Sequence, residues 1–141
     1  IMAQNLAKLY ALTGDTKCRD HAEITLSAFG GRIAEQFPNM PGLLLAAEML
    51  QNPVQIVLIA KERSQTYLDM RRAIFGQYLP NRAITILGDG DPLPAGHPAE
   101  GKTAIGGKET AYVCQGPVCS EPVTNADDLA KLLAGLPANP A

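Results

Sequence analysis

Val54-Gln-Ile-Val-Leu-Ile-Ala60 is short, apolar and rich in β-branched residues, and Asn52-Pro53 closes the segment before it. Such a run reads as a strand covered on both faces. Ser64 is placed to cap a helix reaching about Gln77, with Tyr67, Met70, Arg71, Ile74, Phe75 and Tyr78 along one side. The stem of Arg71 suits an apolar surface while its head reaches water. Leu79-Pro-Asn81 breaks this helix, and Ala83-Ile-Thr-Ile-Leu87 supplies a second strand. Strand, helix, strand at these lengths is a βαβ unit, which predicts parallel pairing through a right-handed crossover. Thr110-Ala-Tyr-Val-Cys114 reads as a third strand. Thr124 is expected to cap a last helix to about Ala134, with Asp127 and Asp128 in the first turn where the helix dipole favours them. The tail from Leu136 to Ala141 reads as frayed.

The first fifty residues read as helical. Met2, Leu6, Leu9 and Tyr10 mark one apolar face, Gly14 stops that helix and Asp15 caps the next. Cys18, Ala22, Leu26, Phe29, Ile33 and Phe37 recur at steps of three or four, the spacing of a buried stripe. Gly30 and Gly31 inside it suggest the close approach of another helix. Asn39 and Pro41 open a third helix, Gly42 to Leu50, apolar almost all round and so expected to be buried on more than one side. The class is therefore α/β: three N-terminal helices, then a small β/α portion with a mostly parallel sheet of about three strands. The boundary falls near residue 52, giving segments 1–52 and 53–141. The stretch 88–107, rich in Gly, Pro and Asp, is an unusually long loop, and such loops are mobile or functional.

Composition excludes several classes. The chain has 141 residues, 46% hydrophobic and 18% charged, with a net charge of −2. That is globular rather than disordered, and the charge is too small to point to nucleic acid or an anionic membrane. No apolar run of about 18 residues is present to span a bilayer. The start, Ile1-Met-Ala-Gln-Asn-Leu6, has no secretory pattern and reads as the interior of a helix that begins earlier. Three cysteines are too few for a disulfide scaffold, so the default compartment is cytoplasmic.

Candidate chemistry centres on Cys114 and Cys119, which flank a Gly116-Pro117 turn. Their spacing is C-x4-C, not the C-x-x-C of a thioredoxin site. The turn can bring the sulfurs into bonding range, leaving a redox pair, a structural disulfide and two unreactive thiols as open readings. No Lys, Arg or His lies within four residues of either cysteine to activate a thiolate. Cys18 and His21 would complete a Cys3His zinc shell with that pair, although Cys18 also fits a core stripe. Asp89 and Asp91 in Gly88-Asp-Gly-Asp-Pro92 follow a strand end, where α/β sheets bind ligands, but the same residues are ordinary turn chemistry. His97, between Gly96 and Pro98, reads as a solvated loop histidine. Glu35 and Glu48 show no spacing that would make a facing glycosidase pair. Phosphate-loop, dinucleotide, nucleophile-elbow and zincin motifs are absent, and no cofactor is implied.

Thr103 to Leu133, carrying Thr110-Ala-Tyr-Val-Cys114, Cys119, Pro122-Val-Thr124 and Asp127-Asp-Leu129, resembles the C-terminal end of a family of large thioredoxin-domain-containing proteins related to spermatogenesis-associated protein 20. Met2-Ala-Gln-Asn-Leu-Ala-Lys-Leu9 with Leu12-Thr-Gly-Asp15 is similar to that family's late barrel helices, and Tyr78-Leu-Pro-Asn81 to the segment before its second C-terminal strand. The resemblance implies an N-terminal thioredoxin-like domain and an (α/α)6 toroid like those of six-hairpin glycosidases and epimerases, followed by a small β/α portion. Residues 1–52 then match the last toroid helices and 53–141 the appended portion. The family's thioredoxin C-x-x-C is not in this chain. The expected role is non-catalytic, stabilising or completing the toroid, with the rest of such a protein as partner. Two other roles compete: a thiol–disulfide or sugar-modifying part using Cys114 and Cys119, and a small-ligand module at loop 88–107. Exposed apolar residues such as Leu43-Leu-Leu45 make homodimerisation an expectation too.

Overall fold

The computed structural model describes residues 1–33, 41–60 and 64–136. Glu35, Phe37, Asn39 and the tail beyond Leu136 lie outside these residues. Three helices come first: α1 (Met2–Thr13), α2 (Thr16–Ile33) and α3 (Pro41–Gln51). Then follow β1 (Val54–Ile59), α4 (Gln65–Gly76), β2 (Arg82–Leu87), a 3-10 turn (Ile105–Gly107), β3 (Thr110–Gln115), β4 (Val118–Cys119) and α5 (Ala126–Ala134).

The sheet has four strands in the order β2-β1-β3-β4. β1 and β2 pair in parallel, as the βαβ pattern requires. The expectation of a mostly parallel, three-stranded sheet is corrected: β3 runs antiparallel to β1, and β4 antiparallel to β3. The reason lies in the connection. Leu87 and Thr110 both stand opposite Ile59, so β2 ends and β3 begins at the same end of the sheet. A parallel β3 would need the chain to return the length of the sheet, usually as a helix, and 88–109 supplies none.

Strand alternation divides the core. Val54, Ile56 and Leu58 pack with Met70 and Ile74 of α4 and with Leu129 and Leu133 of α5. Full burial of a side chain such as Leu58 stabilises by roughly 1.5–3 kcal/mol. Val57 and Ile59 point to the other face, where Ala99 and the flanking Leu93 and Ala104 cover them. Gln55, also on that face, donates from Nε2 to the Ala11 carbonyl of α1 (3.0 Å). Ala7 and Ala11 of α1 cluster with Met49 of α3 and Ala83 of β2. Segment 88–107 thus shares with α1 the task of covering one face of the sheet.

Local chemistry explains the helix ends. Gly14 closes α1 in the left-handed conformation (φ 74°), its N–H bonding Tyr10 O at 2.8 Å. Asp15 Oδ1 accepts the Lys17 N–H at 2.9 Å. Ser64 Oγ accepts the Tyr67 N–H at 3.0 Å. The cap of α5 is Asn125 rather than Thr124, its Oδ1 accepting the Asp128 N–H at 2.9 Å. Asn125 is the residue left in extended conformation at the helix start, and asparagine outranks threonine as a cap.

Other expectations change with packing. Among the described residues of the α2 stripe, Ala22 is buried, Cys18 and Leu26 are half-buried and Phe29 is exposed, because α2 packs on α1 and α3 at the periphery. Among the described residues, nothing lies within 4 Å of a Cβ built at Gly30 or Gly31, so no described helix packs closely on them. On α4, Arg71 and Phe75 are exposed, with the Arg71 guanidinium over the Phe75 ring at 5.7 Å.

Candidate functional site

The hairpin between β3 and β4 turns through Gly116 and Pro117. Gly116 has φ +57°, and glycine at the first central position is the pattern of a type II′ turn. The turn sets Cys114 opposite Cys119. Ser120 N–H donates to Val113 O at 2.9 Å, so the cysteines occupy a non-hydrogen-bonded position, where facing side chains come closest. They form a disulfide with S–S 2.03 Å. Cys114 is a buried residue and Cys119 an exposed one at the sheet margin. After the hairpin, Val123 and Ala111 exchange main-chain bonds (2.8 and 3.0 Å), holding the segment against β3.

Cys18 is a free, half-buried cysteine on α2. His21 is exposed, its Nδ1 2.7 Å from the Lys17 carbonyl. The disulfide takes up two of the three thiolates that a Cys3His shell would need. Among the described residues, no group of three His, Cys, Asp or Glu side chains converges to hold a metal.

Loop 88–107 is internally bonded. Asp89 Oδ1 accepts the Ala104 N–H (3.0 Å), and Asp91 Oδ2 the Gly88 N–H (2.7 Å), so both carboxylates engage their own loop. Glu100 Oε2 accepts the Gly96 N–H (2.8 Å), and His97 Nδ1 the Ala99 N–H (3.1 Å). Lys102 Nζ donates to Pro98 O (2.6 Å) and lies 5.9 Å from the centre of the Tyr112 ring, where burial lowers its pKa. Tyr112 Oη donates to Thr103 O (2.7 Å). The loop also seats on the α1–α2 joint: a Cβ at Gly14 would run into the Gly96 carbonyl. Beside that contact lies a groove of about 610 Å³, walled by Leu9, Thr13, Cys18, Pro94 and Ala95. Glu48 sits on α3, half-buried, 3.4 Å from Asn52 Nδ2.

Three contacts escaped sequence reasoning: Gln55 to Ala11, Ser64 to Glu109 (2.6 Å) and Lys102 over Tyr112. Only the first had a local signal, a polar residue inside an otherwise apolar strand. The others join segments whose proximity depends on the direction of β3.

Fold and site define a mixed α/β unit whose 88–107 loop carboxylates bond their own main chain and whose sheet margin carries a disulfide. No protein-family profile and no solved structure matches it. The chain is homologous over 94% of its length to spermatogenesis-associated protein 20: 30% identical to the human protein and 28% to that of Rattus norvegicus. An uncharacterised protein of Caenorhabditis elegans is 24% identical over a similar share. The chain spans 17% of the length of the human and rat relatives. No helix among the described residues is long and apolar enough to cross a membrane.

Proposed function

We propose that this chain is a non-catalytic C-terminal part of a larger protein that combines a thioredoxin-like domain with a six-hairpin-like helical toroid. In this reading α1–α3 complete the toroid, and the β/α portion packs behind them and stabilises them. The supporting observation is the open groove where Met2 of α1 (72% exposed) and Phe29 of α2 (42%) meet Pro41 and Leu43 at the start of α3, with Ile24 of α2 also 67% exposed. Apolar side chains in this number on one helical layer mark a surface that another protein segment covers. The test is co-expression of the chain with the helical region of a full-length relative such as human spermatogenesis-associated protein 20. Co-purification, with loss of hydrophobic-dye binding by the chain, is expected. Turnover of a disulfide or sugar substrate by the chain alone would refute the reading.

A second reading rests on the exposed position of Cys119 in the bridged pair. An incoming thiolate that attacks Cys119 would release Cys114 as the leaving thiol, so the pair suits exchange with a dithiol protein. Full redox activity in Cys114→Ser and Cys119→Ser variants of the whole protein would remove this alternative.

A further inference from the structure

We infer that β2 is a self-pairing edge through which two copies of this chain join their sheets antiparallel. β2 is the margin of the sheet, with β1 as its single neighbour among the described residues. The carbonyls of Asn81 and Leu87 accept from Val54 and Ala60 (2.9 Å each). By alternation, the main-chain groups of Ala83 and Thr85 also face β1, and those of Arg82, Ile84 and Ile86 face outward. Arg82 N–H turns back to Leu79 O (3.3 Å), and Gly88 N–H goes to Asp91. Ile84 and Ile86 are left with outward N–H and C=O groups that have no partner among the described residues.

The margin is also open. A groove of about 510 Å³ runs beside it, between Lys8 and Leu12 of α1 and the pair Phe75 and Tyr78. Tyr78 is 83% exposed and Ile86 39%. Monomeric proteins blunt such edges with lysine, proline or a bulge, and Ile84 and Ile86 carry none of these. The one outward charge, Arg82, has its head group folded back onto the carbonyls of Ile74 and Gln77 (3.2 and 2.7 Å).

Polarity along the strand selects a second copy as occupant. The N-terminal end of β2 is cationic, with Arg82 and Lys8 nearby, and its C-terminal end leads into Asp89 and Asp91. Antiparallel pairing with Ile84 opposite Ile86 of the second copy uses the free groups of both strands. Thr85 then faces Thr85 of the second copy at the two-fold axis, a favourable cross-strand pair. The same register sets each cationic end against the other copy's aspartates. Parallel pairing would set like charges together.

This surface is distinct from the exposed apolar surface of the helical layer, so the two can be tested separately. The experiment is sedimentation equilibrium of the full chain over a wide concentration range, with circular dichroism as a check on folding. The native chain is expected to double in mass with concentration, more weakly at high salt. Ile84→Pro removes the outward N–H together with a half-buried side chain that packs on the core, and edge strands tolerate proline. Ile86→Lys adds a charge to the edge without touching the backbone and covers the case in which the proline variant fails to fold. Both should stay monomeric, while Ile24→Glu on the helical face should dimerise like the native chain. A native chain monomeric throughout would overturn the inference. So would a dimer that persists in folded Ile84→Pro or in Ile86→Lys, or one abolished by Ile24→Glu alone.

Discussion

Glu109 ties the start of β3 to the start of α4 through one carboxylate. Ser64 Oγ donates to Glu109 Oε1 at 2.6 Å while accepting the Tyr67 N–H. The Ser64 hydrogen bond, helped by a main-chain one, holds the Glu109 carboxyl below its ordinary value. A carboxyl depressed in the folded state binds its proton more readily when unfolded. Its stabilisation is therefore present above the ordinary glutamate pKa of about 4.3 and is lost as pH falls through the lower folded value. The effect is small, because Glu109 is only half-buried and water screens it. Urea midpoints of the native chain and Glu109→Gln should differ at pH 7, with the native chain more stable, and converge toward pH 3. An equal gap at both pH values would mean that the ionised form contributes nothing.

At the scale of elements, the hairpin disulfide is the clearest case. It links residues five apart in sequence, so the closed loop is short. Chain entropy for such a loop amounts to about 2 kcal/mol, less than for bridges that close long loops. Reduction of the native chain, or the Cys114→Ala/Cys119→Ala pair, should lower the free energy of unfolding by about 2 kcal/mol, with an unchanged denaturant slope. A loss well beyond this would show that the ladder from Ala111 to Val123 cannot hold the hairpin unaided. The elements themselves were largely legible. β1, α4 and β2 announce themselves through apolar runs, a serine cap and a Pro-Asn break, all local signals. The direction of β3 was not, since Thr110-Ala-Tyr-Val-Cys114 reads the same either way and its partner lies more than 50 residues back in sequence. The site was legible only in part. Gly116-Pro117 signals a turn that can join Cys114 and Cys119. The engagement of Asp89 and Asp91 depends on where Ala104 and Gly88 fall within a loop that has no period. On α2, periodicity misled: three-four spacing marks an apolar face but not whether anything covers it, and Phe29 is exposed.

At the scale of the whole molecule, the helical layer and the sheet are joined by specific contacts. Gln55 in β1 bonds Ala11 in α1, Ala83 of β2 is buried among Ala7, Ala11 and Met49, and Gly14 lies against the Gly96 carbonyl. Removing α1 would uncover Ala83 and leave the Gln55 amide without its carbonyl, a cost of roughly 1–3 kcal/mol for the unpaired polar group where it stays buried. It would also remove the support on which loop 88–107 rests, and that loop covers Val57 and Ile59. The two layers should therefore unfold together. Far-ultraviolet circular dichroism, dominated by the helices, and tyrosine fluorescence, to which Tyr112 of β3 contributes, should trace coincident urea transitions. Ala11→Leu, which overfills the small-residue contact at a cost of about 1–3 kcal/mol, should shift both signals by the same amount. A helical signal that melts first, with Ala11→Leu moving it alone, would show that the sheet holds its loop without α1.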